Sequence, residues 1–472
     1  MHPLQRRKER TVSTVPTHVP EADLRRGARV NQLLDDAPRV GLSALATFGL
    51  LLTYLFANYD ISVVTITFPS ISRSLGLHVT DLSWPVTANL VGYAIGAYLL
   101  GHLADRRGRL AGLRGTVAVL GASGLLTAMS WNLWSFTLFR FLCGCGMGAV
   151  LALASAYVGE LAPKNRRGRY LTTIYLMQAV LLTLIGFGSL PVLDLGPAGW
   201  RILIAFGALV LVVLFLLGDR VIPESPRWLA ARGQLDRAER ITERLAARSY
   251  RHAQLPPEGP ATVAEPVKDA RTPLAELLRR PMLGRVALIT GFWFFFYVGF
   301  YGFSSYQPLL LEGLGARPAE AIWLTVIGRI SGVLSCLLLF GAIERFERRT
   351  IIVLSAGMTL VSYLLLVAGS GPAVLVVANL LFTFAIGIMV PPAFTYTAEI
   401  FPTHARGTAA AIGDGVGHLG GAVAPFVVLP VLSQAGAHWA MWTIIATMVV
   451  ATTSVALGPR TKDRSLAEIS VG

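Results

Sequence analysis

Apolar runs of about 20 residues recur almost from end to end of the chain, separated by short polar or glycine-rich breaks. Twelve are predicted, at 42–69, 84–104, 110–130, 133–158, 169–193 and 201–221, then at 283–311, 320–342, 350–369, 373–398, 407–432 and 436–458. A helix of about 20 residues rises about 30 Å, the thickness of a bilayer's hydrocarbon, so the pattern predicts an all-α membrane protein with twelve transmembrane helices. The runs fall into two groups of six. This divides the chain into an N-terminal tail (1–40), a first bundle (41–222), a linker (223–281), a second bundle (282–458) and a C-terminal tail (459–472). In the charged, proline-rich linker, Leu235, Ala238, Ile241 and Leu245 recur at helical spacing within Gln234 to Arg248. That stretch predicts an amphipathic helix, either lying on the membrane face or simply solvated.

Composition agrees: of 472 residues 54% are hydrophobic and 14% charged, with mean hydropathy +0.59, too apolar for a soluble enzyme. The net charge of +14 would suit nucleic acid, but its distribution excludes that. Arg106, Arg107, Arg109 and Arg114 share one short loop, and Lys164, Arg166, Arg167 and Arg169 share the next loop on that side. The loops around Trp131 and Gly196 carry almost no basic residues. Such alternation places the basic loops, and with an even number of spans both termini, in the cytoplasm of a cell membrane. The polar, basic start contains no apolar core of a cleavable signal. Cys143, Cys145 and Cys336 show neither metal-ligand nor disulfide spacing. No nucleophile constellation or phosphate loop is present, so neither an enzyme, a cofactor nor a metal site is expected. The expected partners are the lipid bilayer, protons and a small-molecule substrate, with the protein a monomer.

The two halves repeat. Asp105, Arg106 and Arg109 return as Glu344, Arg345 and Arg348, and Glu160, Pro163, Arg167 and Gly168 return as Glu399, Pro402, Arg406 and Gly407, both at an offset of 239 residues. Six spans and then six more in the same orientation imply parallel halves related by an axis along the membrane normal, with a binding site between them near the midplane.

Several strings carry a resemblance that covers nearly the whole chain. G-H-L-A-D-R-R-G-R at 101–109 resembles the loop signature of the major facilitator superfamily, and R-F-L-C-G-C-G-M-G at 140–148 its arginine- and glycine-rich fourth helix. P-E-S-P-R-W-L at 223–229 and P-R-T-K-D-R-S-L at 459–466 are similar to signatures of sugar porters and organic-ion carriers. The seventh span, W-F-F-F-Y-V-G-F-Y-G-F-S-S-Y-Q-P from Trp293 to Pro308, lacks the paired glutamines of sugar porters. It resembles instead the metabolite:proton symporters of the nicotinate and aromatic-acid type, as does E-I-F-P-T-H-A-R-G-T at 399–408. The resemblance implies two pseudo-symmetric six-helix bundles and proton-coupled symport of a small organic acid. A proton-driven exporter of drugs or organic cations and a sugar:proton symporter are the competing readings.

Charges at the basic loops and at mid-span are the candidate machinery. Asp105, Arg109, Glu160, Arg167, Glu224, Arg227, Glu344, Arg348, Glu399 and Arg406 alternate in sign at helix ends and are expected to form a cytoplasmic gate, pairing across the halves. Ordinary topology determinants would show the same pattern. Within spans, ionisable groups are costly and mark function. The resemblance to proton-coupled sugar porters assigns coupling to Asp60 with Arg140, either as a switch or as a permanent ion pair. It likewise places His418, with Asp414 one turn earlier, where organic-ion carriers select substrate charge; His418 is expected as proton site, anion partner or packing imidazole. Arg329 suits a carboxylate or pairs with Asp414. Tyr93, Tyr175, Trp293, Tyr297, Tyr301 and Tyr396 are expected to flank a substrate ring or to serve as packing.

Overall fold

The computed structural model describes residues 21–163, 167–218, 220–251, 277, 282–342, 346–369, 371–401 and 406–459. The predicted spans appear as α2 (Ala44–Leu75), α3 (Ser83–Arg107), α4 (Arg109–Ala128), α5 (Leu133–Leu161), α6 (Arg167–Leu193) and α7 (Gly199–Phe206) in the first half. The second half contains α10 (Met282–Ser304), α11 (Gln307–Gly313), α12 (Pro318–Ala342), α13 (Arg348–Ala368), α14 (Pro372–Glu399), α15 (Arg406–Ala435) and α16 (Ala437–Ala456). Among the described residues, ten helices are long and apolar enough to cross a membrane. The fifth and sixth crossings are α6 and α7, the latter continued by a 3₁₀ segment, Gly207–Phe215.

Local chemistry sets the helix ends. Ser43 accepts the Ala46 N–H at the start of α2, and Gly76 ends that helix at φ 63°, a left-handed conformation that glycine adopts without strain. Asn132 and Ser135 bond reciprocally to open α5. Two predicted spans differ in form. The sixth, expected through residue 221, leaves its helical path after Phe215, where isolated bridges from Ile222 to Leu217 and Gly218 turn the chain. The seventh, expected as one run to 311, breaks after Ser304 and restarts at Gln307 because Pro308 lacks the N–H that a continuous helix needs.

Glycines bring helices together where lipid supplies no hydrophobic drive between them. Gly92 and Gly96 of α3 face Gly144 and Gly148 of α5 so closely that a Cβ would strike Phe141 O, Cys145 O, Asn89 O or Tyr93 O. This contact fixes the position of Arg140 relative to Asn89 and Tyr93.

The predicted linker helix is α9 (Leu235–Ser249), preceded by α8 (Pro226–Ala231), and Leu235, Ala238, Ile241 and Leu245 are all buried. Their cover is α1 (Glu21–Asp35), inside the segment expected to be a tail. Val30 and Leu34 are buried, and Arg26 bonds Glu239 at 2.7 Å and Asp236 at 2.5 Å. The sequence does not predict this helix because its own residues are polar and its apolar contacts lie more than 200 residues away. The hydrogen bonds to Arg26 hold both carboxyls below the usual range. These ionic contacts are therefore complete at neutral pH and are lost as pH falls below the ordinary carboxylate range.

Gly144→Val is expected to lower stability by about 3 kcal/mol or to abolish folding, whereas Gly101→Ala, with no neighbour within 4 Å of the added carbon, changes it by less than about 0.5 kcal/mol. Thermal unfolding in detergent compares the two.

Candidate functional site

The fourth and first spans carry a buried ion pair. Arg140 Nη1 of α5 donates to Asp60 Oδ2 of α2 at 2.6 Å, and the two residues are 3% and 8% exposed. Asn89 Nδ2 of α3 donates to the Arg140 carbonyl at 3.0 Å, holding that turn of α5. Sequence reasoning passed over Asn89, whose only signal was an amide inside a span. A cavity of about 30 Å³ touches Arg140, Asn89, Tyr93, Met147, Tyr301 and Ser305. That space takes water rather than an organic acid.

On the second half, His418 and Asp414 lie one turn apart on α15. His418 Nδ1 lies 2.9 Å from the Asp414 carbonyl oxygen, which only accepts, so Nδ1 is the donor of that bond. Tyr297 donates to Asp414 Oδ1 at 3.1 Å. The rings of Tyr297 and Tyr301 lie 4.6 and 6.2 Å from the His418 ring. Tyr93 of the first half stacks on the same imidazole at 4.3 Å and 7°.

Arg329, midway along α12, reaches into the first half. Its Nη2 lies 3.5 Å from the Ser62 carbonyl, Gly186 of α6 leaves room for its side chain, and Nε has no hydrogen-bond partner. Asp414 is engaged by Tyr297 and His418 rather than by Arg329, and among the described residues no carboxylate pairs with this guanidinium.

The remaining aromatic candidates separate. Trp293 is fully buried within the second half, its indole N–H donating to Thr397 at 2.9 Å. Tyr396 does not flank the centre: its hydroxyl donates to the Pro459 carbonyl at 2.8 Å, near the end of the helices where the chain terminates. The Tyr175 side chain lies outside the described residues.

The motif charges pair differently from expectation. Arg109 bonds Asp105 at 2.5 Å and Glu160 at 2.9 Å, all in the first half, and Arg348 pairs with Glu399 at 3.4 Å in the second. Glu224 accepts the Arg109 and Leu110 N–H groups, capping α4, and burial raises its carboxyl above the usual range. Arg227 joins the Glu160 carbonyl at 2.7 Å to Asp35 of α1, also at 2.7 Å. Glu344 and the side chains of Arg167 and Arg406 lie outside the described residues.

The halves meet instead at the end away from the termini. Phe68 stacks on Tyr306 at 5.7 Å, Trp84 meets Phe426 at 5.4 Å, and Thr87 donates to the Ala422 carbonyl at 2.6 Å. Phe187 meets Trp323 at 6.0 Å beside a cluster of Ile66, Leu190 and Val326.

The family described as Major Facilitator Superfamily matches residues 50–425 and 294–470. The chain belongs to that superfamily. This multi-pass membrane transporter is 26% identical over 430 residues to the niacin transporter NiaP of Acinetobacter baylyi, covering 89% of this chain and 94% of that one. It is 27% identical over 440 residues to the 4-hydroxybenzoate transporter PcaK of the same organism, covering 90% and 92%. The xylose transporter XylE from E. coli, in a partially occluded inward-open conformation, shares the fold with a TM-score of 0.71, at 20% identity over 89% of this chain and 99% of that one.

Arg140→Ala strands a buried carboxylate and is expected to cost the transporter roughly 3–5 kcal/mol, while Asp60→Asn with Arg140→Gln recovers most of the loss. Unfolding temperatures of the single and double variants measure this.

Proposed function

We propose that this transporter is a proton-coupled symporter of a small organic acid, an aromatic carboxylate, working by alternating access in the cell membrane. Arg329 carries the reading of an anion. A guanidinium at mid-span, with an unsatisfied Nε and no carboxylate among the described residues, is stabilised by whatever anion enters the seam beside it. The names of NiaP and PcaK support the same substrate class.

Asp60 and Arg140 supply the coupling. When a proton adds to Asp60 the ion pair loses its charge–charge attraction, and Arg140 is released to interact with the entering carboxylate. When the proton leaves, the pair re-forms. Each pH unit contributes about 1.36 kcal/mol and each charge moved through 100 mV about 2.3 kcal/mol. An acid that enters as its anion together with a proton moves no net charge, so the pH gradient alone drives one-to-one uptake. The basic loops put both termini in the cytoplasm. The aromatic seam then lies on the outer side, which supports reading this as an inward-facing form, and the protein is taken to work as a monomer. Residues 41–222 and 282–458 rock about the seam, with the paired motifs stiffening each half rather than latching the two together.

One observation favours a cation instead. Asp414, about a third exposed at its side chain and ringed by Tyr297 and His418, would suit an amine.

Purified protein in proteoliposomes, offered benzoate, glucose and tetraethylammonium under an imposed pH gradient, separates these readings. Benzoate is expected to accumulate when the outside is acidic. Asp60→Asn should retain benzoate exchange while losing uphill uptake, and Arg329→Gln should reduce both by at least about tenfold, the loss of one charge-assisted contact. Movement of tetraethylammonium alone, against the proton flow, would overturn the proposal.

A further inference from the structure

The parallel stack of Tyr93 on His418 bears on how a ring is held, and the inference rests on the organic-acid reading above. Tyr93 belongs to α3 of the first half and His418 to α15 of the second, so the space between their rings is the space between the halves. At 4.3 Å and 7° the rings are in direct contact. A third flat ring inserted at ordinary carbon contact would need about 7 Å between them. Direct stacking and a bound ring therefore exclude each other.

Both rings are held by their helices. The His418 imidazole is fixed through Nδ1 to the Asp414 carbonyl. The backbone at Tyr93 is pressed against Gly148, and Asn89, one turn earlier on α3, bonds the Arg140 carbonyl. Tyr297 and Tyr301 wall the imidazole on the second half, and Tyr93 and Tyr301 border the same small cavity as Arg140. The rings thus part or close with the helices that carry them, and movement at Tyr93 reaches the helix of the ion pair through Asn89.

We propose that Tyr93 and His418 are the two faces of a slot for the planar ring of the substrate. They part to admit it, and they close onto each other once it has left. The closed stack fills the empty slot, so a ring arriving from either side must part it to bind. Selection is for flatness: a planar ring gains contact with both faces, and a puckered ring of the same size does not.

Benzoate and cyclohexanecarboxylate carry the same carboxylate on a flat and a puckered ring. The assay is equilibrium exchange of each acid by full-length protein in proteoliposomes, which needs no proton gradient. Wild-type protein is expected to show a KM for benzoate at least threefold below that for cyclohexanecarboxylate. Tyr93→Phe should preserve the difference. Tyr93→Leu should raise the benzoate KM roughly three- to tenfold, the worth of one stacked face, while moving the cyclohexanecarboxylate KM by less than about twofold. Cyclohexanecarboxylate exchange also reports whether that variant is folded; if it is not, His418→Leu removes the opposite face and should show the same selective loss. A leucine variant that keeps the benzoate preference overturns the slot, as does wild-type protein that handles both acids equally, and neither result touches the organic-acid reading. Wild-type protein that exchanges neither acid brings down both.

Discussion

An ionised side chain in hydrocarbon must find a partner, and much of this molecule follows from how that demand is met. Arg140 and Asp60 satisfy it mutually at 2.6 Å inside the first half. The pair is held in place by the glycine contact of α3 with α5 and by the bond from Asn89 to the Arg140 carbonyl. Desolvating two ions nearly cancels what their attraction returns, so such a pair adds little net stability. Parting it with both members still charged would leave two uncompensated ions, so the pair holds unless one of them is neutralised. Among the described residues Arg329 meets no carboxylate, its Nη2 lying 3.5 Å from the Ser62 carbonyl. The two arginines thus differ in what holds them.

The seam between the halves and the ends that carry the motifs are built from different chemistry. Aromatic rings and a threonine hydroxyl close the end away from the termini, and ion pairs brace each half near the opposite end. Arg227 ties the brace of the first half to α1, so the N-terminal helix, the linker helices and the loop before α4 form one collar attached to that half.

The crossing number was legible in the chain from apolar length, the repeat from its fixed offset, and the pairing of Asp60 with Arg140 from the family resemblance. The break before Gln307 was announced by Pro308, yet the surrounding apolar run read as continuous. What was hidden depends on contacts between distant segments. Helix α1 is polar by composition and is defined by α9, and pairing of Arg109 with Glu160 rather than across the seam depends on which helices are neighbours. Tyr396 and Trp293 look alike as in-span aromatics, but one anchors a helix end and the other fills a core. Asn89 carried no motif at all, although it links Tyr93's helix to the carbonyl of Arg140.

Proton uptake on substrate binding tests the central claim most directly. Purified protein in weakly buffered detergent solution, with a pH indicator, is mixed with benzoate already brought to the same pH. The account predicts uptake of about one proton per benzoate bound by the wild type and none by Asp60→Asn at equal occupancy. Equal uptake by both proteins would contradict it.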